Sequence, residues 1–239
     1  MGIGRLNFLF LVPSFLILLS WQAWAGIEVD QSIIEFEPDG EYYTDITVSN
    51  RDEKKAYVSV SVFEISNPGQ PNEKREPLTD PDKAMLIATP TRLALEPNQS
   101  IPVRLLNLDE EQKEERIYRV LVEPASKRMQ NEASGVRLLV GYEMLVIIRP
   151  QNPQVKVLAS RSGKTMTFYN AGNTNVFMEG GKNCNPAKPS ECQEVSSQRL
   201  YPKARWSTEL PFAAPVEFSM NAGEENTSKQ RFDGNDKLP

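Results

Sequence analysis

Alternation of apolar and polar positions is the main pattern in this chain, and its longest instance runs from Val136 to Pro150. One side of this stretch carries seven residues, apolar apart from one tyrosine hydroxyl: Val136, Leu138, Val140, Tyr142, Met144, Val146 and Ile148. A period of two residues predicts a β-strand with one apolar face. The β-branched content, the central Gly141 and the closing Pro150 favour a strand over a helix. Because this strand would be unusually long, we expect its far half to need a cover, which could be another protein.

Elsewhere, the mature chain predicts short strands bounded by turn residues. The runs before Val136 are IEVDQSIIEF, YYTDITVSN, AYVSVSVFEI, MLIATPTRLALEP, SIPVRLLNL and RIYRVLVEP, with a charged loop at 67–83. After a linker at 151–154 the pattern restarts and ends with RLYPKARWSTELPF and PVEFSM. This spacing predicts an all-β protein made of antiparallel sandwiches. We place the first domain at 26–150 and the second at 151–222, and expect the polar tail 223–239 to be disordered.

Residues 1–25 have the features of a signal peptide. Arg5 precedes an apolar run, and Ala23-Trp24-Ala25 is a small-residue cleavage pattern before Gly26. An uncleaved membrane anchor is the alternative, but the apolar run is shorter than a bilayer span requires. We therefore expect an exported protein without stable membrane insertion. The whole chain has a net charge of −5, and loss of Arg5 makes it −6, which argues against a nucleic-acid partner.

The sequence offers little for catalysis. It contains no histidine, which excludes Ser-His-Asp and Cys-His arrangements and the commonest metal ligand. It also lacks phosphate-binding glycine loops and zinc-type cysteine spacing, so we predict neither an enzyme nor a cofactor or metal site. The acidic run at 109–115 lacks the spacing of a calcium loop and is expected to be a solvated turn.

Cys184 and Cys192 are the two cysteines of the chain. In an exported protein they are expected to form a disulfide, and their spacing favours a structural staple over a redox site. Closing this short loop would stabilise the fold by about 2.5 kcal/mol in the chain-entropy model.

Three stretches carry a family resemblance. LIATPTRLALEPNQSIPVRLL, which begins at Leu86, resembles the A-T-P, L-E-P and V-R-L segment of periplasmic pilus chaperones of the chaperone–usher pathway. RIYRVLVEPA resembles the next strand of these proteins, and VRLLVGYEMLVIIRP resembles their last first-domain strand, which ends in R-P at the domain joint. The signal peptide and the late cysteine pair are consistent with this family, although the second domain matches only loosely.

The resemblance implies two immunoglobulin-like β-sandwich domains set at an angle, a periplasmic location and no catalysis. In this family the long strand is lent to a pilus (fimbrial) subunit that lacks its own last strand, and the chaperone delivers the subunit to an outer-membrane usher. The donor residues would be Val136, Leu138 and Val140, with Tyr142 as a further member. The alternative is that these side chains fill the protein's own core.

One departure from the family pattern concerns the anchor for the subunit's terminal carboxylate. By register, the usual basic positions correspond to Ile33 and Leu145, which cannot bind a carboxylate. Arg119 is a candidate replacement because a charge within the apolar run IYRVLV requires a partner. An internal ion pair is an equal alternative for Arg119, and Arg116 is a weaker candidate.

The exposed apolar strand is also an aggregation hazard. We expect the free protein to protect it by self-association or by disorder of the loop Ser126 to Gly135. Two other classes of function stay open on the sequence alone: a structural pilus subunit or adhesin built on the same sandwich, and a carbohydrate-binding or enzymatic module of the envelope. A pilus subunit would need a donor extension, and Gly26 to Asp30 looks too short to supply one.

Overall fold

A computed structural model describes residues 26–80, 82, 84–109, 112–125, 139–223 and 227–239. All regular structure in these residues is β-strand, as the sequence predicts. None of them belongs to a helix long and apolar enough to cross a membrane. The strands form two sandwiches that follow one another along the chain, each built from two sheets.

In the described residues, the first sandwich contains ten strands. In chain order these are β1 (Ile27–Val29), β2 (Ile33–Phe36), β3 (Tyr43–Asn50), β4 (Ala56–Ser66), β5 (Lys74–Pro77), β6 (Leu86–Thr89), β7 (Arg92–Leu95), β8 (Ser100–Asn107), β9 (Arg116–Pro124) and β10 (Tyr142–Ile148). The four-stranded sheet has the order β1-β3-β8-β6. The six-stranded sheet has the order β2-β10-β9-β4-β5, and β7 also pairs with β4.

The core of the first sandwich lies between these two sheets. Each strand buries alternate side chains, which is why apolar residues recur at every second position. The six-stranded sheet contributes Tyr118 and Val120 from β9 together with Met144, Val146 and Ile148 from β10, all at most 1 % exposed. The opposite side of this sheet, here called the outer face, therefore carries the odd-numbered residues of β9 and β10.

Two predictions for the first domain need correction. The strand predicted for Val136–Pro150 is shorter in the structure, because β10 begins at Tyr142 and residues 139–141 are not in a strand. Val136 and Leu138 lie outside the described residues. The predicted loop at 67–83 contains β5, which adds to the edge of the six-stranded sheet by pairing with β4. The sequence of β5 does not predict a strand, because all four of its residues are exposed and show no alternation of apolar and polar positions.

The described part of the second sandwich has eight strands: β11 (Val157–Ser162), β12 (Thr165–Asn170), β13 (Val176–Asn185), β14 (Lys188–Val195), β15 (Gln198–Leu200), β16 (Arg205–Glu209), β17 (Val216–Asn221) and β18 (Thr227–Phe232). One sheet has the order β11-β12-β16, and the other has the order β14-β13-β17-β18 with β15 paired to β13. Aromatic rings fill the space between the sheets. The Phe168 ring lies 5.6 Å from Phe218, 5.2 Å from Phe232 and 5.1 Å from Trp206.

The prediction of a disordered tail at 223–239 is wrong for most of its length. Within it, Thr227–Phe232 forms β18 and pairs with β17, and Phe232 is buried in the core. Beyond β18, the Ala159 N–H donates to Asp236 Oδ2 at 2.8 Å, and the Arg161 N–H donates to the Gly234 carbonyl at 2.9 Å. The polar sequence does not predict this strand, because β18 lies at the edge of its sheet and buries a single apolar side chain.

The predicted disulfide between Cys184 and Cys192 is confirmed. The two residues are direct partners across the hairpin of β13 and β14. Seven of the eight residues of β14 are exposed, so this strand has little apolar packing of its own. The disulfide therefore fixes β14, a strand that contributes little to the apolar core of the second domain.

Apolar packing and ion pairs join the two domains. On the outer face of the six-stranded sheet, Ile65, Ile117, Leu145 and Ile147 share one core cluster with side chains of the second domain. Arg149 follows β10 and is buried at this junction. It contacts Glu35 and Glu37 of the first domain, Thr174 of the second, and Glu115 at 3.7 Å.

Glu115 is the most deeply buried acid at the junction, with a side chain only 1 % exposed. Burial raises the pKa of the Glu115 carboxyl, while hydrogen bonds from Asn175 and Thr174 and the charge of Arg149 oppose this rise. Its Oε2 accepts hydrogen bonds from the Thr174 hydroxyl at 2.8 Å and from the Asn175 N–H at 2.7 Å. This carboxyl therefore links the first domain to the turn before β13.

Candidate binding strand and cation cluster

The first half of β10 has an open edge. On one side, β10 pairs antiparallel with β9 along its whole length, from Tyr142 to Ile148. On the other side, the parallel strand β2 begins only at Ile33, opposite Leu145. Within the described residues, Tyr142 to Met144 thus have no strand partner on the β2 side. Such an edge is a template for an added strand.

The direction of the backbone amides defines this edge further. The Leu145 N–H donates to the Ser32 carbonyl and the Arg149 N–H to the Phe36 carbonyl, each at 3.0 Å. Odd-numbered amides of β10 therefore point toward β2, since successive amides of a strand alternate in direction. By this alternation, the Glu143 N–H points to the same side as the Leu145 N–H. It lies before the first residue of β2, so it does not pair with that strand. It is available to pair with a strand that continues the line of β2.

The described members of the predicted donor set lie at the start of this edge. Val140 precedes β10 and is 41 % exposed, and it does not belong to the buried core. Tyr142 is the first residue of β10 and is half-buried. Its register places it on the same side as Met144 and Val146, which are buried in the core. Val136 and Leu138 lie outside the described residues, so their placement stays a prediction.

A row of side chains crosses the outer face of the sheet where β2 begins. Leu145 is the direct partner of both Ile33 on β2 and Arg119 on β9. Ile33 is 48 % exposed, whereas Leu145 is buried against the second domain. The structure thus makes the two apolar residues at the expected anchor positions immediate neighbours, with a guanidinium beside them.

The two arginine candidates lie on opposite faces of the sheet. The Arg119 side chain lies on the outer face with its Nε 3.7 Å from Glu143 Oε1. Arg116 is three positions earlier and therefore points to the other side, where its Nε is 3.2 Å from Asp109 and its Nη1 3.6 Å from Glu64. Arg119 belongs to the row at the start of β2, and Arg116 does not.

A third arginine, Arg75, joins this site from β5. Its guanidinium carbon lies 3.8 Å above the centre of the Phe63 ring, and its Nη1 is 2.5 Å from Glu143 Oε2. The Glu143 carboxylate is thus shared by two arginines. The sequence carries no signal for this contact, because Arg75 lies in a polar stretch that the alternation does not identify as a strand.

Comparison with protein families gives a match to the N-terminal domain of the pili and flagellar-assembly chaperones, over residues 26–154. This match spans more than half of the chain. No curated protein matches the sequence.

Several solved structures share the fold. The class 5 fimbriae chaperone CfaA is 20% identical, with a TM-score of 0.67, and the match covers 86% of this chain and 98% of that one. The E. coli chaperone DraB is 19% identical, with a TM-score of 0.57 and coverage of 88% and 96%. A structure of the Salmonella enterica SafA pilin in complex with the SafB chaperone matches at 15% identity, with a TM-score of 0.57 and coverage of 87% and 95%.

These likenesses confirm the predicted fold class of two immunoglobulin-like sandwiches, and the family match confirms the resemblance seen in the sequence. The match includes the open edge of β10 and the row at Ile33, because both lie within residues 26–154. The chain belongs to the family of pili and flagellar-assembly chaperones.

Proposed function

We propose that this chaperone binds pilus subunits by adding the stretch from Val136 to Met144 to a subunit that lacks its last strand. The observation that carries the proposal is the open edge of β10, where β2 stops at Ile33 and the Glu143 N–H has no strand partner among the described residues. A subunit strand that lies parallel to β10 would continue the line of β2. Main-chain hydrogen bonds would then hold the two proteins together.

Side chains on the lent strand supply the apolar contacts. Val136, Leu138 and Val140 alternate along the stretch before β10, and Tyr142 is the next member of the set. Val140 supports this role because it is exposed in the free protein instead of packed in its core. Burying three such side chains in a subunit contributes roughly 5 to 8 kcal/mol before the costs of association.

Location and partners complete the proposal. Residues 1–25 act as a signal peptide that is removed on export, so the protein works in the periplasm and passes its subunits to an outer-membrane usher. A fold neighbour whose structure is described as a pilin–chaperone complex supports a pilus subunit as the partner. The protein acts by binding alone, without a catalytic step. The family match to chaperones argues against the alternative of a pilus subunit or adhesin.

The double variant Leu138→Arg plus Val140→Arg tests this function. Two guanidinium groups on the lent strand cannot enter an apolar groove without losing hydration, so a co-expressed pilus subunit is expected to be degraded instead of co-purified. The measurement is the amount of soluble subunit recovered with the tagged chaperone from the periplasm.

The matched control is Leu108→Arg plus Val155→Arg. It adds the same two charges at Leu108 and Val155, whose exposures of 46 % and 41 % are similar to the 41 % of Val140, away from the strand. The control is expected to retain the subunit as the wild type does. A folded Leu138→Arg plus Val140→Arg protein that still holds the subunit would contradict the proposal.

A further inference from the structure

A cavity of about 230 Å³ lies at one end of the first sandwich. It is lined by the connection between β2 and β3 (37–42), the connection between β8 and β9 (108–115) and the end of β10. Arg149 of the domain junction also lines it, so the cavity lies beside the contacts that join the two domains. This space is large enough for several water molecules or for a small ligand.

Acidic side chains dominate the charge of the lining. Of the described residues, three acids and one arginine line the cavity: Glu37, Glu41, Asp109 and Arg149. Glu37 pairs with Arg149, and Asp109 Oδ2 lies 3.2 Å from Arg116 Nε. Glu41 is exposed and forms no ion pair with any described residue. A cationic ligand therefore fits this lining better than an anionic one.

Gln112 adds a buried hydrogen-bond acceptor to the lining. The sequence predicts a solvated turn at 109–115, but Gln112 within it is only 3 % exposed. Its Nε2 donates to the Glu114 carbonyl at 2.5 Å and to the Ile148 carbonyl at 3.2 Å. Exchanging the amide oxygen and nitrogen would place an oxygen against these two carbonyls, so the contacts fix the orientation of the amide. Its Oε1 is buried and has no partner within the described part of the chain, and a buried acceptor calls for a donor.

Two features favour an organic ammonium ion over a metal ion. Among the described residues, no group of three His, Cys, Asp or Glu side chains could hold a metal. Tyr42, which is 63 % exposed, lines the cavity next to Glu41, and a tyrosine ring attracts an ammonium group through a cation–π contact. The apolar surface of Phe36 and Ile148 suits the methylene chain of such a ligand.

We propose that this cavity binds a primary alkylammonium group, with Gln112 Oε1 as its buried hydrogen-bond acceptor and Glu41 and Asp109 as its counter-charges. The group can belong to a free diamine or to a lysine side chain, since both present the same three N–H donors. Glu37 and Arg149 belong to the cavity and to the domain junction. A bound cation would therefore lie next to the ion pairs that join the two domains.

Titration of the purified protein with n-butylammonium chloride at pH 7 and constant ionic strength tests the site. The side-chain amide resonances of Gln112 report binding beside its Oε1. Tetramethylammonium carries the same charge without an N–H donor, so its half-saturating concentration is expected to be at least about tenfold higher. Parallel titrations with 1,4-diaminobutane and with Nα-acetyl-lysine methylamide distinguish the two sources, because the tighter ligand is the one that the cavity fits.

Glu41→Gln removes one counter-charge at an exposed position and leaves the core intact. It is expected to raise the half-saturating concentration of n-butylammonium about fivefold, the upper end for loss of an exposed ion pair. Glu53→Gln is the matched control, since Glu53 is an exposed acid beyond the other end of β3. It is expected to change this concentration by less than about twofold.

Three outcomes overturn the inference. Gln112 resonances that do not saturate with n-butylammonium, or that saturate at the same concentration with tetramethylammonium, show that Oε1 does not accept a hydrogen bond from the ligand. Saturation with calcium chloride and not with n-butylammonium assigns a metal site instead. Equal half-saturating concentrations for Glu41→Gln and Glu53→Gln remove the acidic lining from the binding. The free protein is used throughout, so these outcomes are independent of subunit binding.

Discussion

Replacing Arg149 by methionine is expected to lower the free energy of unfolding by about 3 to 5 kcal/mol, because it removes the buried cation beside the buried Glu115 and the half-buried Glu35 and Glu37. Arg149 Nη2 lies 2.6 Å from Glu35, its Nε lies 3.1 Å from Glu37, and its Nη1 donates to the Thr174 hydroxyl at 2.7 Å. Only 1 % of its side chain is exposed. Methionine fills a similar volume, so the loss reports the uncompensated charge. Urea unfolding followed by tryptophan fluorescence measures it.

Arg104→Met is the matched control for this prediction. Arg104 makes two hydrogen bonds of 2.8 Å to Asp45, but its side chain is 48 % exposed. Water screens this pair, so its loss is expected to lower the free energy of unfolding much less than the loss of Arg149. Equal losses for Arg149→Met and Arg104→Met would show that the domain junction does not depend on the buried ion pairs.

Replacing Phe232 by alanine is expected to lower the free energy of unfolding by about 3 to 5 kcal/mol, the range for a buried phenylalanine. The Phe232 ring lies 5.2 Å from Phe168 and 6.4 Å from Phe218, and only 3% of the residue is exposed. The substitution opens a cavity in the second-domain core. Calorimetry of the purified protein measures the change.

Lys229→Ala serves as the control, since Lys229 is an exposed residue of the same strand. Its effect is expected to stay within about 0.5 kcal/mol. A neutral Phe232→Ala would instead support the disordered tail that the polar sequence suggests.

The sequence predicts most of the fold because most strands bury alternate side chains. Runs such as Ile46 to Val48 in β3 and Val103 to Leu105 in β8 show this alternation plainly. The pattern fails where a strand lies at an edge and buries little. All of β5 is exposed, and β18 buries only Phe232, so neither differs in composition from a loop. Their pairing depends on neighbours that are distant in the chain.

The candidate site was predictable in part. The family resemblance points to Ile33 and Leu145 as the two usual anchor positions, and the structure makes them direct partners. Arg119 is predictable from the sequence because it is a charged residue within an apolar run. Arg75 and Glu143 could not be found in this way, since each looks like an ordinary surface charge. Their contact is visible only in the folded sheet, where Arg75 on β5 and Arg119 on β9 both lie beside Glu143 on β10.

Residue-resolved hydrogen exchange of the chaperone, free and bound to a pilus subunit, tests the central claim most directly. A subunit strand on the open edge of β10 would protect the amide of Glu143, which points away from β9 and past the end of β2. We predict that Glu143 exchanges more slowly in the complex, while Leu145 and Ile147, already paired with β2, change little. Unchanged exchange at Glu143 in a complex that still holds the subunit would contradict the account.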